Sequence, residues 1–323
     1  MRDVKPARAK AAPIDQTPYH PCWYPVSLAS EIAPGQVTGI DFLGGRAVVY
    51  RTEGGTARVR SAYCRHLGAD LAIGDVVGEE LRCPFHQWRY GEDGRCTATA
   101  VGDPAPRAAR LFPFPTKESL GLIWAFNGEE PTYEVPGFRV GEDALVVDAF
   151  RNPIPMHVAL PVVFLNSFDI QHFRVVHKLD IEASPADMRR EGSLLHYRAH
   201  VRVEEFGTVL QERTLWGTNT VTIENVRDGR PLFLLHALCP IGPDQTLGFL
   251  VNATPRGNDA NAIASLLEDA RAYSLRLVGE DAPIFDTMRF KADCLTRSDL
   301  LLRYGMDYIA SFPNATPAAA FIT

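Results

Sequence analysis

CRHLGADLAIGDVVGEELRCPFHQW, residues 64–88, carries two mixed Cys-His pairs. One residue separates Cys64 from His66, 16 residues follow, and two residues separate Cys83 from His86. Each pair comes just after a strand-like run, SAY before Cys64 and ELR before Cys83, and Leu67-Gly68 after the first pair is a turn signal. Two facing hairpin loops would bring two thiolates and two imidazoles to one point. That donor set could hold zinc, or a [2Fe-2S] cluster with both Cys on one iron and both His on the other. The second option explains the mixed pairing, because each loop then gives one ligand to each metal and both loops grip both. Neutral imidazoles in place of two thiolates make such a cluster less negative and raise its potential.

The rest of the chain narrows the setting. Its 323 residues predict two domains at roughly 150 residues each. Apolar residues make up 46% and charged residues 22%, enough for a large core. A net charge of −6 argues against a nucleic-acid partner, whose phosphates need a basic face. No run approaches the ~20 apolar residues of a membrane span. The basic start MRDVKPARAKAAP lacks the apolar segment of a secretory signal and reads as a mobile tail over residues 1–18. Six scattered cysteines do not form a disulfide framework, so a reducing, cytoplasmic compartment is expected.

Residues 36–128 read as short strands (RAVVYR, ARVRSAY, GEELRC, LGLIWAFN) with turn signals EGG and GEDG between them. This predicts a small all-β domain over residues 19–128, ended by the Pro- and Gly-bearing stretch EEPTYEVPGF. Beyond it the pattern is α+β over residues 129–323. Residues 163–176 suit a helix, 195–252 return to strands, and 259–290 form a helix with Ile263, Leu266, Leu267, Ala270, Tyr273 and Leu277 at helical spacing.

A second constellation lies in NSFDIQHFRVVH, residues 166–177. Two imidazoles and a carboxylate form the facial triad that binds non-haem Fe(II) and leaves positions open for O2. In an ideal helix residues five apart are about 140° apart around the axis, so His172 and His177 cannot share a helix face. Either His177 lies past the helix end or the helix bulges.

The two Cys-His pairs, with CPFHQWRYGEDGRC around the second, resemble a Rieske domain. Together with NSFDIQHFRVVH the chain is similar to the oxygenase (alpha) components of Rieske non-haem iron oxygenases. The Rieske loops are most like the ketosteroid hydroxylase and cholesterol desaturase branch, and the overall length is like monooxygenase and O-demethylase members. The resemblance implies that Cys64 and Cys83 bind one iron, that His66 and His86 bind the other, and that Trp88 packs beside the cluster. It places Gln87 where such proteins often carry Gly. It implies mononuclear Fe(II) on His172, His177 and a carboxylate from a late acidic helix. GEDAPIFDTMRF, residues 279–290, puts Asp281 there, with Asp286 as the alternative. Asp169 would bridge the mononuclear iron to the cluster of the next subunit in a homotrimer, accepting from His172 and from His86 of that subunit, and Asn166 would support the iron.

The expected fold is thus a small Rieske domain followed by a larger helix-grip, START-like catalytic domain. The expected activity is O2-dependent monooxygenation of an apolar, polycyclic or steroid-like compound, with O- or N-demethylation of a small aromatic as the alternative. Electrons would come from NAD(P)H through a separate reductase, with or without a ferredoxin, since no G-x-G-x-x-G motif occurs here. Phe164, Phe168, Phe173, Phe206, Trp216, Phe233 and Phe249 are available to line a pocket. A Rieske electron carrier with a non-catalytic binding domain is the reading of a different class.

Overall fold

The structure is a computed structural model that describes residues 19–153, 156–203, 207–227 and 229–315. The tail assigned to residues 1–18 and the pocket candidate Phe206 lie outside them.

Three small antiparallel sheets build the first part of the chain. Val37–Phe42, Gly45–Arg51, Ala57–Ser61 and Pro113–Phe114 form one, and Asp75–Val77, Glu80–Arg82, Arg89–Tyr90 and Cys96–Ala98 form another. Both Cys-His pairs sit on connections. The first follows Ala57–Ser61 and is pinched by a bridge between Tyr63 and Asp70. The second links Glu80–Arg82 to Arg89–Tyr90. Val48, Tyr50, Leu71, Leu81 and Tyr90 are fully buried beneath them, so a packed floor supports both loops.

The third sheet pairs Trp23–Leu28 with Leu122–Phe126, which also pairs with Thr116–Ser119. It carries Trp23, Trp124 and Phe126 into a core that continues into the second part of the chain. Polar ties cross the same seam. The Asn219 amide donates to the Trp23 carbonyl at 2.8 Å, and His20 Nδ1 is 2.7 Å from Thr218 Oγ1. The sequence break at 129–138 is therefore not a break in the core.

The second part is an antiparallel sheet in the order Leu145–Arg151, Gln245–Pro255, Arg230–Gly242, Thr220–Arg227, Gly207–Trp216, Leu194–Val203 and Asp180–Glu182. Five of these strands match the runs read over residues 195–252. Leu145–Arg151 and Trp23–Leu28 were not anticipated, because neither shows clear alternation between turn signals. Helix α3, Ala260–Phe285, lies against this sheet and buries Ile263, Leu266, Leu267, Ala270 and Ser274. These recur at helical spacing, one apolar stripe facing the sheet.

The helix expected at 163–176 is two short ones. Helix α1 spans Leu160–Leu165 and helix α2 spans Ile170–Val175, with a 3₁₀ turn at Asn166–Phe168 between them. The Asp169 carboxylate accepts from the His172 amide at 2.9 Å and starts α2 afresh. Helix α4, Leu300–Ala310, holds this turn in place. A Cβ on Gly305 would lie 2.5 Å from the buried Phe168 ring, so α4 approaches only because residue 305 is Gly.

Candidate metal centres

Among the Rieske loops, Cys64 and Cys83 are 4% and 1% exposed, whereas His66 is exposed and His86 half-buried. The thiols point inward and the imidazoles to the surface. His66 Nδ1 and His86 Nδ1 face each other at 3.1 Å. Two nitrogens held at ~2.1 Å from one metal subtend about 3.0–3.4 Å, from a right angle to a tetrahedral one, so the pair fits a single iron. The Trp88 ring stacks on His66 at 4.3 Å with only 7° between planes. Gln87 has φ of 54°, the left-handed region that favours Gly. Burial pushes the Cys83 thiol up, opposed by the amides of Phe85 and His86 that hydrogen-bond its sulfur. A metal reverses that balance by taking the thiolate.

The Tyr90 hydroxyl lies 3.1 Å from Cys64 Sγ and accepts from the Arg65 amide at 3.0 Å. Burial and the Cys64 sulfur push this phenol above its ordinary range, so it keeps its proton. Toward a metal-bound thiolate it can only donate. Such a bond favours the more negative, reduced cluster. Tyr90→Phe is expected to lower the cluster potential by about 40 mV, the equivalent of ~1 kcal/mol for one electron. Redox titration of the visible spectrum checks this, and an unchanged potential would remove the hydrogen bond from the account.

The second constellation closes in space. Helix α2 ends at Val175, so His177 lies two residues past the helix, where Lys178 at φ 58° turns the chain. His172 Nε2 and His177 Nε2 are 2.8 Å apart. Asp281 Oδ1, from α3, lies 3.2 Å from the first and 3.3 Å from the second. Edges near ~3.0 Å are what ligands at ~2.1 Å make at right angles, against ~3.4 Å for a tetrahedron. The three edges, 2.8, 3.2 and 3.3 Å, fall in or close to this span, so the three atoms suit one shared metal ion. Asp281 Oδ1 is buried and accepts no hydrogen bond, an expensive state that a cation would relieve. Asp286 is elsewhere, at the exposed end of α3, where it meets His157 Nδ1 at 3.1 Å.

Burial holds His172 below the ordinary imidazole range. It acts the same way on His177, but the neighbouring Asp281 and Glu280 carboxylates outweigh it and hold His177 above that range. Glu280 Oε2 lies 2.7 Å from His177 Nδ1, which fixes the tautomer that leaves Nε2 free for a metal. The Asn166 amide nitrogen is 3.3 Å from His172 Nε2. Asp169 meets the backbone of His172, and no hydrogen bond joins its carboxylate to the His172 ring among the described residues.

The triad opens onto a cavity of about 190 Å³ between α1, α3 and the sheet. Helix α3 lines it with Tyr273, Leu277, Asp281 and Phe285, one stripe four residues apart. Of the aromatic candidates, Phe164, Phe173 and Phe249 line it. Phe168 packs on Tyr304 and Tyr308, Phe233 on Phe138, and Trp216 bonds Thr222 on the other sheet face. Alternation along the strands turns Gln211, Arg213, Val221, Leu234 and His236 inward.

The surface left to the His236 ring faces this cavity, and its Nε2 is buried with no partner. Burial, then the Arg213 charge, lowers its pKa from 6.5 to about 4. The folded-state value is depressed, so between those pH values the unfolded chain binds a proton that the folded chain excludes. Stability contributed by this group is whole above pH 6.5 and falls by about 3 kcal/mol as pH drops to about 4. Thermal melting across this window is expected to show a shallower loss in His236→Gln than in the wild type.

Glu280, Tyr90, Arg213 and His236 were missed from sequence. Glu280 adjoins Asp281, and Tyr90 lies within CPFHQWRY, so position alone could have flagged both. A lone His inside LFLLHALC was a signal for His236. Nothing local marked Arg213.

Residues 22–113 match the Rieske [2Fe-2S] domain. Cholesterol 7-desaturase nvd of Bombyx mori is 36% identical over 172 residues, 50% of this chain and 36% of that protein. The oxygenase component of 3-ketosteroid-9-alpha-monooxygenase from Mycobacterium tuberculosis is 35% identical over 126 residues, 39% of this chain and 33% of that protein. The matched stretch thus spans about a third of the length of these curated relatives. Among solved structures, the caffeine-bound NdmA QL mutant of Pseudomonas putida CBB5 superposes with TM-score 0.73 at 19% identity, covering 94% of this chain and 93% of that one. Dicamba monooxygenase bound to dicamba gives 0.69 at 17% identity, covering 93% and 98%. The first part of the chain is therefore a Rieske [2Fe-2S] domain, and the chain shares its fold with these oxygenases along nearly its whole length.

Proposed function

We propose that this Rieske-domain chain is the terminal oxygenase component of a non-haem iron monooxygenase that acts on a compact apolar organic substrate. The observation that carries the reading is the convergence of His172, His177 and Asp281 on one wall of an apolar cavity. A Rieske electron carrier needs no second site, and zinc would leave the mixed Cys-His pairs unexplained. When bound, the mononuclear iron would supply O2 activation and the cluster would supply electrons.

The chain's own groups do the rest. Cys64, Cys83, His66 and His86 hold the cluster, and Tyr90 donates to the Cys64 sulfur. Glu280 orients His177, Asn166 sits against His172, and Phe164 and Phe173 exclude water from the substrate. Asp169 links α2 to the His66–His86 face of a neighbouring copy in a homotrimer. Exposed Leu67, Ile73 and Phe85, at 66%, 77% and 62%, support a docking face at the cluster loops. Reduction requires a separate NAD(P)H-dependent reductase, directly or through a ferredoxin. Six unpaired cysteines support a cytoplasmic site of action. No described helix is long and apolar enough to cross a membrane.

The cavity's size bears on the substrate. About 190 Å³ is close to the ~150 Å³ that holds a benzene ring. This supports a one- or two-ring compound, hydroxylated or demethylated, over a four-ring steroid. The reading is tested by measuring iron, zinc and acid-labile sulfide on protein purified and reconstituted with Fe(II). About three irons and two sulfides per chain are expected. Two irons would leave an electron carrier, and zinc without sulfide would overturn both centres.

A further inference from the structure

We propose that Arg213, with His236 beside it, is an anion-recognition site within the cavity, and that the substrate is an apolar carboxylic acid whose carboxylate seats there. This deepens the oxygenase reading and rests on it for the location of the reacting end.

Arg213 projects from the inner face of the strand Gly207–Trp216 and is 5% exposed. Its Nε and Nη2 donate to Gln211 Oε1 at 3.0 and 2.6 Å, and its Nη1 to the Tyr197 hydroxyl at 3.4 Å. A guanidinium has five N–H donors, so these bonds leave two unused. No carboxylate lies within ion-pair reach of it among the described residues. A buried cation with only neutral partners is costly, and an arriving carboxylate relieves that cost through charge-assisted bonds.

The surroundings agree in sign and position. Among the described residues, Asp281 is the one carboxylate in the cavity lining and Arg213 the one guanidinium, so with a divalent ion on the triad the lining would be cationic. His236 stands close enough for the Arg213 charge to act on it, and its ring adds an unpartnered nitrogen to the same end of the cavity. The Arg213 guanidinium carbon lies 5.4 Å from the Phe173 ring centre, and that ring lies 5.7 Å from His172. The anion would thus be held about one aromatic ring away from the metal ligands, with the apolar body against Phe164, Leu234 and Phe249. A merely structural Arg213, braced by Gln211, Tyr197 and Phe173, would show no preference between an acid and a neutral isostere.

The test is calorimetric binding to the iron-loaded protein of benzoate and 2-naphthoate against their neutral counterparts acetophenone and 2-acetylnaphthalene. At least one acid is expected to bind about tenfold or more tightly than its matched ketone. Arg213→Met, which keeps apolar bulk over Phe173, is expected to remove that preference while leaving ketone affinity within about threefold. Where Arg213→Met does not fold, His236→Phe with the wild-type acid-to-ketone ratio decides, and a reduced ratio is expected. Ketones binding as well as the acids, no acid binding, or equal losses for both in the variant would overturn the proposal. Iron counts on the same preparation separate the two claims. Three irons without acid preference overturn the substrate class alone, whereas two irons with acid preference leave a binding site and overturn the oxygenase.

Discussion

His172→Ala is expected to lower iron from about three to about two per chain, leave acid-labile sulfide unchanged, and abolish substrate oxidation. The imidazole Nε2 is one corner of a three-atom set with edges of 2.8, 3.2 and 3.3 Å. Losing a corner leaves two ligands, too few to retain a divalent ion against water. The cluster should be untouched, because Cys64, His66, Cys83 and His86 sit on loops over a separate packed floor. Its visible spectrum is the internal control. The same logic separates the two acidic candidates on α3. Asp281→Asn should lose the same iron, since its Oδ1 contacts both histidines. Asp286→Asn should lose none, since its carboxylate faces the exposed His157. Equal iron in His172→Ala and wild type would mean that the third metal, if bound, is bound elsewhere.

Cys83→Ser is the second large effect. Cys83 is 1% exposed, its amide donates to the Trp88 carbonyl at 2.8 Å, and its carbonyl accepts from the Gln87 amide at 3.1 Å. The sulfur therefore sits at the root of the second loop, turned into the protein. A serine oxygen is shorter and harder, a poor match for an iron–sulfur cluster. The variant is expected to lose the red-brown colour and acid-labile sulfide and to retain about one iron per chain at the mononuclear site. Its melting temperature should fall as well, because a bound cluster ties the two loops together. Cys96→Ser is the control. Cys96 is also buried near the cluster loops, but its thiol points to the Ala98 carbonyl at 3.4 Å, so colour and iron should remain. Retention of sulfide in Cys83→Ser would remove Cys83 from the ligand set.

Much of this was legible in the chain because the relevant chemistry is local. The Cys-His pairs lie within 25 consecutive residues, on two tight loops whose flanking strands are themselves short-range features. The sheet strands from Leu194 to Pro255 follow one another through hairpins, so alternation and turn residues sufficed to place them. The His172–His177 spacing told less. Five residues on a continuous helix point apart, and only the Asp169 cap with the early end of α2 lets both rings turn to one point.

The amino-acid sequence by itself determined the donor types, their loop spacing and the α+β order of the chain, because these depend on neighbours a few residues away. Tertiary structure alone decided which acid on α3 meets the histidines, that Glu280 reaches His177 from 103 residues away, and that Arg213 and His236 turn into one cavity from non-adjacent strands. Those outcomes depend on how a helix stripe and a strand's inner face are rotated against each other in a shared core. That rotation is set by the sum of packing across the sheet, and no short stretch of sequence encodes it.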